Sequence, residues 1–188
     1  MRNTPDDTGR TATTSTRADT SAGHLARLSD MDDFKVADGE PDIRGWDVKT
    51  ADGQKLGDVD DLLVDTAMMK VRYIEVELDK KFATDKDHRH VLAPIGSARL
   101  DDDRDDVLLP LRTVDVTVLP PYMRGNVTRD YEVLLLERYG AAPARTGTEA
   151  KTEDFYSSDH FDESRAFAGR RAKANRPAND NNAYLTRS

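Results

Sequence analysis

DIRGWDVKTADGQKLGDVDDLLVDTAMMKVRYIEVELD, residues 42–79, reads as three β-strands joined by two turns. Asp52-Gly53 is a hairpin signal, because glycine reaches the positive φ angles that tight turns require. Beyond it Leu56, Val59, Leu62 and Val64 supply apolar positions whose spacing departs from two. A bulge near Asp60-Asp61 is therefore expected to re-phase the strand. In the third strand Arg72, Ile74, Val76 and Leu78 share one face, while Tyr73, Glu75, Glu77 and Asp79 share the other. This alternation predicts a sheet with one mainly apolar face and one acidic, wet face.

Outward from this stretch, further strands are expected at 90–94, 107–110 and 114–118, with 46–49, 56–65 and 71–78 the strands of the stretch itself. Together they make a mainly β unit of about six strands. Pro120-Pro121 stops strand pairing. Thr128 is a candidate N-cap, Asp130 and Glu132 suit a first helical turn, and Gly140 suits a C-terminal cap. A helix over 129–139 is predicted, docking through Tyr131, Leu134 and Leu135.

The 188-residue chain is 37% hydrophobic and 34% charged, with a formal net charge of −8. The large aliphatics concentrate in 43–139, so residues 1–29 are expected to be disordered and 141–188 largely so. This divides the chain into an acidic lead-in (1–41), a β domain (42–119), a proline linker with docking helix (120–140) and a tail (141–188). The tail contains an aromatic–basic island with Phe155, Tyr156, Phe161, Phe167, Arg170 and Arg171, read as a docking segment for the barrel or a partner, or as a transient helix.

Charge is divided too. Residues 30–106 hold 22 acidic against 12 basic side chains, and 165–188 hold six basic against one acidic. The acidic core disfavours binding of phosphate backbones. The absence of cysteine excludes disulfides and thiolate chemistry. No apolar run resembles a signal-peptide core or a membrane span, which makes a soluble cytoplasmic protein the expectation.

Candidate sites are few. Asp58, Asp60, Asp61 and Asp65 lie on a strand, where neighbouring carboxylates diverge, and no EF-hand pattern is present. Asp101, Asp102, Asp103, Asp105 and Asp106 read as a solvated loop. His88 and His90 share a strand face but have no identifiable third ligand, so no metal site and no cofactor are expected. Serine-hydrolase and phosphate-loop signatures are missing, and the chain is not expected to be an enzyme. Trp46 and Tyr73 are candidate aromatic anchors for a partner, with Glu75 and Glu77 beside Tyr73 on the acidic face.

Gly45-Trp46-Asp47-Val48, the Asp52–Val59 turn and strand, Asp61–Asp65, Arg72–Val76 and Val91–Ala98 together resemble the PRC-barrel domain. That family includes the cytoplasmic domain of the photosynthetic reaction-centre H subunit and the C-terminal domain of ribosome maturation factors. The resemblance implies a small β-barrel that acts as a protein-interaction or assembly module, with no shared catalytic residues and with a homodimer among the possible assemblies. Two further readings follow from the branches: a peripheral component of a photosynthetic or respiratory membrane complex, and an RNA- or ribosome-associated factor using the basic tail.

Overall fold

A computed structural model describes residues 24–83, 89–101, 103–125, 127–141, 155–168 and 184–188. Its centre is the antiparallel pair β4 (Lys55–Asp65) and β5 (Lys70–Leu78). Pairing passes from Val59↔Val76 directly to Asp61↔Glu75, so Asp60 is the extra residue of the expected bulge. Gly57 lies against β5 so closely that a Cβ there would overlap the Glu77 carbonyl oxygen. Gly53, at φ 79°, makes the turn leading from β3 (Asp47–Lys49) into β4.

The remaining strands are β1 (Leu25–Arg27), β2 (Phe34–Val36), β6 (His90–Pro94), β7 (Arg99–Asp101), β8 (Asp106–Leu108) and β9 (Leu185–Arg187). Seven strands form one sheet in the order β6-β5-β4-β3-β8-β7, with β1 pairing the far end of β4 through Leu63–Asp65. β3 and β8 are parallel, and β2 pairs with β9 separately. Among the described residues the hydrogen-bonded path ends at β6 and β7 without closing, so the fold is mainly β, and the closed or nearly closed barrel of about six strands that was expected is not seen closed.

Three expectations are corrected. Residues 114–118 do not form a strand: α1 (Thr113–Val116) is a single helical turn. The Thr113 amide and hydroxyl both donate to Asp52 Oδ1, at 3.0 and 2.9 Å, and the Arg112 amide donates to Asp115 Oδ2 at 3.0 Å. These side-chain acceptors, one local and one from the β3–β4 turn, satisfy donors that a strand would have offered to a ladder. Second, residues 25–30 are ordered, because β1 adds to β4 and Leu28 is buried. Third, α2 (Arg129–Arg138) starts at the expected N-cap, with the Tyr131 amide donating to Thr128 Oγ1 at 3.2 Å, but it buries Glu132, Leu135 and Leu136. Leu134 is 42% exposed. The buried stripe follows the i, i+3, i+4 spacing of a helix face, and an acid at its first position hides it from a search for apolar residues.

α3 (Glu163–Ala166) and the turn before it lie over the connection from β6 to β7. Gly96 in that connection touches the backbone of Asp159 and Asp162, leaving no room for a Cβ. Among the described residues no helix is long and apolar enough to cross a membrane.

Candidate functional site

The second face of β5 is not wet. Tyr73 and Glu75 are both 0% exposed, and only Glu77 reaches partial solvent. This corrects the reading of an acidic surface strand: the alternation of residue types is real, but chain segments remote in sequence cover both faces. Tyr73 and Glu75 therefore meet their own chain, where the sequence reading placed them against a partner.

Glu75 is closed by two arginines. Arg27 of β1 donates from Nε to Glu75 Oε2 at 2.8 Å and from Nη2 to Asp60 Oδ2 at 2.8 Å. Arg124, from the loop before α2, donates from Nε to Glu75 Oε1 at 2.9 Å and also pairs with Asp60. Asp61, itself buried, lies 3.2 Å from Arg27 Nε, accepts the Ser29 hydroxyl at 2.5 Å and accepts the Leu62 amide at 2.8 Å. Burial disfavours the charged form of Asp60, but Arg124, a hydrogen bond with Glu75, and Arg27 outweigh it and hold its carboxyl below the usual range.

Tyr73 meets a second buried carboxylate. Its hydroxyl donates to Glu132 Oε1 at 2.9 Å, and the Tyr156 hydroxyl donates to the same oxygen at 2.5 Å. Arg129 Nη1 lies 3.1 Å from Glu132 Oε2 and its guanidinium stacks 3.8 Å from the Phe155 ring centre. Phe161 meets Tyr73 edge-on at 5.3 Å and Tyr156 edge-on at 4.8 Å. Burial is the first cause that pushes the Tyr73 and Tyr156 phenols well above their ordinary value, and the Glu132 charge adds to it. Next to this cluster Arg72 pairs with the buried Asp65 at 3.1 Å and lies over the Tyr156 ring.

The aromatic island is thus a cover for the protein's own sheet. Tyr156, Phe161 and Phe167 are buried, Phe155 is half-buried, and Phe167 stacks on Tyr184. Glu163 accepts the Val71 amide, and Ser97 Oγ lies 2.9 Å from His160 Nδ1. Trp46 is half-buried against the core. Arg170 and Arg171, with Asp85, Asp87, His88 and Asp102, lie outside the described residues. Of the other acids, Asp47 and Asp58 share Lys55 at 2.7 Å each, and Asp106 pairs with Lys49 at 2.5 Å.

Four residues that organise these sites, Arg27, Arg124, Arg129 and Glu132, were not singled out by sequence as site residues. The only signal they left was an acid on the docking stripe of α2 and isolated arginines beyond the recognisable strands. One group of metal-ligand type, Asp60, Glu77 and His90, has donor atoms within 4.8 Å of one another.

A search of curated proteins found no match. The protein-family comparison matches residues 39–116. The match begins ahead of β3 and ends with α1, taking in β3 to β8 with the Gly53 turn and the Gly57 close approach. Over those residues the family model matched is that of the PRC-barrel domain, the family that the sequence resembles.

Proposed function

We propose that this chain is a non-enzymatic protein-interaction or assembly module. The observation that carries the reading is where apolar surface remains once the interior is filled. Of the six exposed large apolar side chains among the described residues, four fall between 108 and 123: Leu108, Val114, Val118 and Met123. Val114, in α1, is 66% exposed, and Val118, in the turn that follows it, is 52% exposed. Exposed apolar side chains gathered in one region are what a contact surface requires. The interior acids support the same reading, since arginines or tyrosine hydroxyls of this chain already occupy Glu75, Asp65 and Glu132. Part of the tail's positive charge is also engaged within the chain, at its surface: Arg165 pairs with Asp159, and Arg187 lies over the Phe34 ring.

The test compares the full chain with its Val114→Asp/Val118→Asp variant in affinity capture from native lysate, and in sedimentation for self-association. A partner, or a dimer, held by the native chain and lost from a folded variant supports the proposal. Identical capture and identical mass for both overturn it. Ending the chain at Gly140 would be a poorer probe, because it would uncover Tyr73 and Glu132.

A further inference from the structure

His90, Glu77 and Asp60 come from three adjacent strands of the sheet. Glu77 and His90 are direct cross-strand partners on β5 and β6, which puts their Cβ atoms about 5 Å apart. Asp60 joins them from β4 because it is the bulged residue, and a bulge re-aims a side chain. All three are partly exposed, with side-chain exposures of 24% for Asp60, 36% for Glu77 and 19% for His90, so solvent ions can reach them.

The place between them already attracts a cation. Arg124 Nη2 pairs with Asp60 and lies 3.3 Å from His90 Nε2. A guanidinium can only donate, so Nε2 faces it as an acceptor, with its lone pair aimed into the cluster. That lone pair is the one a metal would use. Asp60 Oδ2 and Glu75 Oε1 each lie 3.9 Å from the same nitrogen.

Charge also favours exchange of this guanidinium for a metal. Four carboxylates (Asp60, Asp61, Glu75, Glu77) surround three guanidiniums (Arg27, Arg89, Arg124), which leaves one negative charge when His90 is neutral. Arg124 is 47% exposed on a loop and can turn toward water. With it gone the balance is two negative charges, which a divalent ion neutralises. One imidazole and two carboxylates suit zinc, and the present 4.8 Å spread need close only to the ~3.4 Å donor separation of a tetrahedral site with bonds of about 2.1 Å.

We infer that Asp60, Glu77 and His90 form a zinc-binding site on the β4-β5-β6 face, for which the Arg124 guanidinium is the resident competitor.

The test is calorimetric titration of the full chain with Zn2+ alone near pH 7.5, with circular dichroism to verify that each variant is folded. The expected result is saturable one-to-one binding in the micromolar range that millimolar Mg2+ does not displace. His90→Gln and Glu77→Gln should weaken it by about tenfold or more, while Arg124→Gln should tighten it severalfold by removing the competitor. The inference is overturned by failure of the native chain to bind saturably below 1 mM, by full-strength binding in folded His90→Gln, or by Arg124→Gln that binds no tighter. Loss of binding in His88→Ala with retention in His90→Gln would likewise overturn it.

Discussion

Glu75 and Glu132 are both fully buried carboxylates beside β5, yet they are closed in different ways. Glu75 sits between Arg27 and Arg124, whose guanidiniums lean out toward solvent with 20% and 47% of their side chains exposed. Glu132 sits among rings: two tyrosine hydroxyls share one of its oxygens, and its arginine is stacked on Phe155. The first site is a charge-balanced network open to water at its edge. The second is a low-dielectric pocket in which hydrogen bonds from neutral donors share the compensation with one ion pair. The difference teaches that one strand face is held by two segments with opposite sensitivities. The N-terminal cover and the 120s loop depend on ionised acids, and the C-terminal cover depends on neutral phenols.

The largest expected effect is with pH, and its two limits separate the regions. All six tyrosines are held above their ordinary value, with burial the leading cause. A raised phenol pKa contributes stability that is present below the unfolded value of about 10 and is lost as pH rises beyond it. Tyrosinate absorbance should therefore appear late, in one step coincident with unfolding, as pH is raised well above 10. Early, gradual tyrosinate formation in a folded chain would break the account of the aromatic side. The arginine side fails in the other direction. The lowered Asp60 pKa contributes stability present above about 3.9, lost as pH falls through the still lower folded value. Acid unfolding should begin below about pH 4 and shift to higher pH in Arg27→Gln.

Glu132→Ala should cost about 3–5 kcal/mol in urea unfolding, since it strands a stacked arginine and two buried hydroxyls. Glu75→Ala should cost less, about 2–3 kcal/mol, because its arginines can turn toward water. Equal losses from these two variants would erase the distinction between the sites. Smallest is Arg124→Ala, below about 1 kcal/mol, as an ion pair with one half-exposed partner contributes little. A loss several times larger would show that the loop before α2 is anchored through this residue alone.

Legibility in the sequence followed the range of the interactions. The Asp60 bulge, the Gly53 turn and the Thr128 and Gly140 caps were all readable, because each is set by neighbours within a few residues or one cross-strand step. The 114–118 segment misled because Val-x-Val-x-Val alternation fits a strand. Two side-chain acceptors supply the alternative, Asp115 from within the same turn and Asp52 from 61 residues away in the β3–β4 turn, and the second is invisible to local periodicity. The island at 155–167 was visible as an aromatic excess, but nothing in its composition distinguished a foreign partner from its own sheet.

By itself the sequence determined the β-strand framework of 42–79, its irregular register and its PRC-barrel character, since periodicity and glycine stereochemistry act locally. Only the tertiary structure decided that Tyr73 and Glu75 are interior. That outcome depends on Arg27, Arg124, Glu132, Tyr156 and Phe161 arriving from up to 88 residues away. An alternating strand specifies two chemically different faces, and whether the polar one meets water or a matching set of partners is settled by what packs over it.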